Sequence, residues 1–145
     1  MVKLEFSIYK DTVPTSKPIF EEDCMTGAFN GLQTFTINGV DFSGDVALLN
    51  FARGLRIAMR QIEPGNSILA FSDCDSEWKI YFKFSGDQVE VVEGKVGELQ
   101  AKQAIASIPE LSSAINSYAH RLYETCCDLC PLLDSEIGDW WRQGD

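Results

Sequence analysis

Phe35-Thr36-Ile37-Asn38-Gly39-Val40-Asp41-Phe42-Ser43-Gly44-Asp45-Val46-Ala47-Leu48-Leu49-Asn50-Phe51-Ala52-Arg53-Gly54-Leu55 is the stretch in which the hydrophobic period changes from two to about 3.6. Leu32 to Ile37 reads as a strand, and Asn38-Gly39 is the strongest short hairpin signal a sequence can carry. Val40-Asp41-Phe42 resumes the alternation on the return strand. Ser43-Gly44-Asp45 then predicts a turn and the N-cap of a helix. From Val46 to Ile62 the apolar residues Leu48, Phe51, Ala52, Leu55, Ala58, Met59 and Ile62 recur at threes and fours, so the helix has one buried stripe. Glu63-Pro64-Gly65-Asn66 stops it.

Toward the N-terminus, Val2 to Tyr9 alternates as a half-buried strand does. Pro14 and Pro18 punctuate a polar loop, and the acidic run Glu21-Glu22-Asp23 leads into a glycine-containing connection at Thr26 to Gly31. Toward the C-terminus, Ser67 to Phe71, Trp78 to Phe84 and Gln88 to Val92 read as three strands. In the middle one Trp78, Ile80, Phe82 and Phe84 alternate with Lys79, Tyr81 and Lys83, and Ser85-Gly86-Asp87 closes an antiparallel hairpin. Short connections favour a meander over parallel crossovers. Ser107-Ile108-Pro109-Glu110 starts a second helix, with Ser107 or Ile108 at the cap and proline in the first turn, and its stripe at Leu111, Ile115, Tyr118, Leu122, Cys126 and Leu129. Pro131 ends or kinks that helix, and a short acidic segment from Leu132 to Trp141 follows. The order β-β-β-α-β-β-β-α predicts an α+β fold: one antiparallel sheet of about 5–6 strands with two main helices packed on it. Residues 1–145 are expected to form a single domain.

Charge excludes more than any motif does. The chain holds 22 acids against 12 lysines and arginines, giving −10 and a pI near 4.5. Such a field repels phosphates and anionic lipid and speeds encounter with a cationic partner, so neither nucleic acid nor membrane is expected as a ligand. The alternative is that excess acid serves solubility alone. No apolar run approaches the roughly 18 residues of a membrane span. Met1-Val2-Lys3-Leu4-Glu5 puts an acid where a signal segment would be apolar, and the expected compartment is the cytoplasm. Five cysteines (Cys24, Cys74, Cys126, Cys127 and Cys130) are odd in number and clustered, unlike a secreted disulfide scaffold.

The sequence holds no recognisable catalytic apparatus, and the chain is not expected to be an enzyme. The one histidine, His120, lies within the second helix, nearly two turns from Cys126, and no nucleophile elbow accompanies it. Cys127-x-x-Cys130 could hold zinc with His120 and a further thiol, but no second pair completes a four-ligand set, and buried thiols also pack as small apolar fillers. A redox pair would need the start of a helix, not its end. Asp73-Cys74-Asp75-Ser76-Glu77 opens like a calcium loop and fails at Trp78 and Phe84, where a glycine and a bidentate acid belong. No metal or cofactor is expected. Arg53, Arg56 and Arg60 form a basic stripe that reads either as an anion clamp or as a solvent face paired with the chain's own acids. Candidate partner contacts are three acidic patches. They are Glu21, Glu22 and Asp23; then Asp73, Asp75 and Glu77; then Asp134, Glu136 and Asp139 with Trp140 and Trp141. Aromatic anchors rimmed by acids are how a hot spot for a basic partner is built, although one tryptophan could equally pack the last segment onto the core.

With its hairpin running into an amphipathic helix from Phe35 to Leu55, the chain resembles the small acidic immunity proteins of bacterial contact-dependent growth-inhibition and polymorphic-toxin systems. The resemblance implies a protein that neutralises a cognate, basic, nuclease-type toxin C-terminal domain by occluding its active site. It assigns no contact residues. The competing readings are an adaptor domain unconnected with toxins, and a small metal protein or enzyme built on His120 and the Cys126–Cys130 cluster.

Overall fold

Strand β2 (Asn30–Ile37) is the spine of the N-terminal half, because both of its edges are paired. The computed structural model describes residues 1–16, 28–73, 77–94 and 102–142. On one side β2 takes β1 (Val2–Ile8), in antiparallel register from Val2↔Ile37 to Ile8↔Gly31. On the other it takes β3 (Val40–Asp41) and then β4 (Gly44–Ala47), through the pairs Ile37↔Val40 and Asn30↔Ala47. Asn38 and Gly39 turn the hairpin at φ 51° and 86°, the left-handed pair that Asn-Gly adopts at least cost.

Between β3 and β4 the ladder is interrupted, and side chains fill the break. The Ser43 hydroxyl accepts from the Phe35 amide at 3.0 Å, and the buried Gln33 amide group donates to the Phe42 carbonyl at 2.8 Å. Here the structure departs from the sequence reading. Gly44 and Asp45, expected in a turn and helix cap, and Val46 and Ala47, expected in the first helical turn, form a strand, and the helix begins later, at Leu48, with Ala47 at its N-cap and no side-chain cap. Pairing with an open β2 edge outweighs the capping preference of Asp45.

Helix α1 (Leu48–Arg60) buries Leu48, Phe51, Ala52, Leu55, Ala58 and Met59 along the expected stripe; Ile62 lies beyond its end and is exposed. A second sheet follows as a meander in sequence order: β5 (Ser67–Ser72), β6 (Lys79–Ser85), β7 (Gln88–Gly94) and β8 (Gln103–Ser107). Among the described residues the expected single sheet is two four-stranded antiparallel sheets, and β8 was not anticipated. Its inward residues are Ala104 and Ala106, too small to mark an apolar face in sequence. Helix α2 (Ile108–Leu129) starts as expected: Ser107 caps it, accepting from the Glu110 amide at 3.2 Å, with Pro109 in the first turn. Leu129, expected in the core, is half exposed, and Cys130 is buried in its place. After a 3-10 turn (Pro131–Leu133), the acidic C-terminal segment forms a third helix, α3 (Asp134–Arg142).

A single buried cluster draws on both sheets and all three helices, with Phe35, Phe42, Phe51, Phe71, Phe82, Phe84 and Tyr118 among its members. Phe51 on α1 meets Phe35, Phe71 and Tyr118 at centroid distances of 6.3, 5.2 and 6.2 Å, linking sheet to helix to sheet by edge-on contacts. Where the sheets adjoin, Asn38 Nδ2 donates to the Ile105 carbonyl and Lys102 Nζ to the Asp41 carbonyl, each at 3.0 Å. Among the described residues, no helix is long and apolar enough to cross a membrane.

Candidate functional site

The seam between the sheets opens into a cleft of about 570 Å³ lined by Ser43, Gly44, Asp45, Asp73, Glu77, Trp78, Glu93 and Lys102. Each wall has a local cause. The break in the first sheet at Phe42-Ser43 turns Ser43 to Asp45 outward, and Asp41 holds that corner by accepting from the Ser43 amide at 2.8 Å. The Asp41 carboxyl lies below its ordinary range because Ser43 hydrogen bonds to it by side chain and backbone, with the Lys102 charge adding to this. Opposite, the connection between β5 and β6 is closed by the Asp73 amide donating to the Trp78 carbonyl at 3.0 Å. Trp78 stands half-buried, edge-on to Phe71 at 5.6 Å, with its ring next to Gly44.

Acid dominates this cleft. Among the described residues, Asp45, Asp73, Glu77 and Glu93 line it with one cation, Lys102, whose ammonium lies 3.9 Å from a Glu93 carboxylate oxygen. The Tyr9 hydroxyl donates to Asp45 Oδ1, and this bond raises the Tyr9 pKa. The arrangement suits a cationic side chain: several carboxylates converge beside an aromatic face, and guanidinium or ammonium groups pair with both.

Of the sequence candidates, the structure brings Asp73 and Glu77 into this cleft and joins them to Asp45 and Glu93, which sequence reasoning did not single out. The four come from the β3–β4 edge, the β5–β6 connection and β7, so no spacing in sequence announces them. Asp75, Glu21, Glu22 and Asp23 lie outside the described residues. Asp134 and Asp139 are exposed on α3, and Glu136 is half-buried. Asp139 pairs with Arg142 on its own helix. Trp141 takes part in internal packing: its ring lies under the Arg56 guanidinium, 4.2 Å away, and 5.9 Å from the Tyr123 ring. Arg56 also donates to the Trp141 carbonyl at 3.4 Å. One arginine of the basic stripe therefore anchors α3, while Arg60 is exposed beside a second depression, of about 600 Å³, lined also by Glu63 and Asn66. The Trp140 side chain is outside the described residues.

The residues of the metal or enzyme reading are dispersed. His120 is exposed and pairs with Glu124 one turn on, at 2.9 Å. Cys130 is buried, and its thiol donates to the Pro14 carbonyl at 3.1 Å. Cys126 is also buried in the core, and Cys127 is half-buried. Burial raises the pKa of all three thiols, so little reactive thiolate is present near neutrality. Among the described residues, no three His, Cys, Asp or Glu side chains are grouped so as to hold a metal ion.

No family model matches this chain, and neither a curated protein nor a solved structure matches it.

Proposed function

We propose that this chain is a cytoplasmic immunity-type protein that binds and neutralises a basic, nuclease-type toxin domain, seating a cationic surface of that partner in the acidic cleft at the sheet seam. One observation carries the reading: among the described residues, four carboxylates and a half-buried tryptophan line the cleft with one lysine. Occlusion follows from charge. A nuclease groove is cationic because its substrate is polyanionic, and an acidic protein that mimics that charge is steered onto the same groove. The −10 net charge supplies the long-range attraction, and the cleft supplies the close fit.

The test is a pull-down from the native host with the tagged chain, at low and moderate salt, with the bound protein identified by mass spectrometry. One stoichiometric basic partner is expected, and that partner should lose nuclease activity when bound. With the purified pair, the double substitution Asp73→Lys with Glu77→Lys should slow association on the order of tenfold at low salt and flatten its salt dependence. A partner that binds the variant at the wild-type rate and salt slope would refute cleft-centred electrostatic occlusion. Recovery of no basic partner at either salt would refute the function itself.

A further inference from the structure

Between α2 and α3 the chain presents two leucines to water within four residues. Leu129 is 50% exposed in the last turn of α2, and Leu132 is 85% exposed at the middle of the Pro131–Leu133 turn. Single exposed apolar residues are ordinary on a protein surface. What sets this pair apart is the rigidity of its mounting. Pro131 fixes φ at the start of the turn, and the Leu133 amide closes it by donating to the Cys130 carbonyl at 3.0 Å. Cys130, Leu133 and Ile137 are buried on either side, and the Cys130 thiol is bound to the Pro14 carbonyl. Leu132 therefore projects from a short turn clamped at both ends, and ordering it on binding costs little backbone entropy.

The charge nearest it in sequence is acidic, with Arg121 and Arg142 beyond it on either side. From Leu122 to Trp141 the chain carries Glu124, Asp128, Asp134, Glu136 and Asp139 and no lysine or arginine. Asp128 and Asp134, which bracket the two leucines in sequence, are both exposed. A second copy of this chain is a poor occupant, since two such surfaces would meet acid to acid. The complement is an apolar socket rimmed by lysine or arginine.

We propose that the Leu129–Leu132 turn is a docking knob that inserts into an apolar socket, rimmed by basic residues, on the same partner that fills the acidic cleft. This inference rests on the function proposed above. It divides the labour: the cleft and net charge set the rate of encounter, and the knob sets how long the complex lasts, because a desolvated aliphatic anchor acts mainly on dissociation.

The test uses the full chain and the purified basic partner recovered in the pull-down, with association and dissociation rates measured by biolayer interferometry. Leu132→Ser removes the apolar group without changing charge, and its melting temperature should equal that of the wild type because the side chain makes no core contact. Leu69→Ser, at a leucine of similar exposure to Leu129 on strand β5, is the matched control. Leu132→Ser should speed dissociation about tenfold or more while leaving the association rate and salt slope unchanged. Leu69→Ser should leave both rates as they are. Wild-type dissociation in Leu132→Ser, or an equal loss in Leu69→Ser, would overturn the knob and leave the proposed function standing. A wild-type chain that binds no basic partner would overturn both. Light scattering that shows a dimer of the free chain, made monomeric by Leu132→Ser, would assign the turn to a second copy and also overturn the proposal.

Discussion

Gly54 lies in the middle of α1, where glycine costs about 1 kcal/mol in helix stability relative to alanine. Its surroundings explain its presence. A methyl group there would stand 2.3 Å from the Ala70 carbonyl oxygen on β5, inside any real contact distance. The obstacle is backbone, so no rotamer relieves it, and the helix would have to lift off the strand. Gly54→Ala is therefore expected to destabilise the protein by about 1–3 kcal/mol despite its better helix propensity, as a shift in urea midpoint with unchanged slope. A midpoint above wild type would mean that α1 moves freely against β5. The same scale shows what a sequence hides. Asp45 has the chemistry of a helix cap and is used as a cleft acid bonded to Tyr9, because the open edge of β2 claims its backbone first.

At the scale of elements, α3 is held by Ile137 in the core and by a stacked arrangement at its end: the Arg56 guanidinium over Trp141, with Tyr123 beside it. Trp141→Ala removes a half-buried indole and its cation–π partner together. The expected cost is about 1–3 kcal/mol. Amide exchange along residues 134–142 should accelerate more than in either sheet, and a uniform change across the molecule would contradict α3 being a separately anchored element. Elements with a strong period were legible beforehand. The α1 stripe from Leu48 to Met59, the Asn38-Gly39 hairpin and the alternation along Ile80, Phe82 and Phe84 stand as the sequence predicts them, and of the two cap candidates Ser107 is the one used. Strand β8 was not legible, because its inward residues are the small Ala104 and Ala106 while its most apolar residue, Ile105, faces outward between Gln103 and Ser107. The division into two sheets was equally hidden, since it depends on which strand edges meet and not on any local pattern. Half of the cleft could be named from the acidic loop at Asp73 to Glu77, whereas Asp45 and Glu93 reach it only through tertiary placement.

At the scale of the molecule, acidity and architecture converge on the seam. The two sheets share a buried cluster on one side, while across the seam itself run the bonds from Asn38 to Ile105 and from Lys102 to Asp41. The cleft takes Ser43 to Asp45 from the first sheet and Asp73, Glu77, Trp78, Glu93 and Lys102 from the second. A rigid guest lodged there would act as a rivet, making two adjoining plates give way together or not at all. Hydrogen exchange should then show slower opening of β4 and of β6–β7 by the same factor once the partner is bound, with a steeper thermal transition for the complex. Protection confined to one sheet would place the guest on a single plate. If both slow together, binding and the chain's own mechanical integrity become one property, and the chain would be at its sturdiest only while the proposed guest is in place.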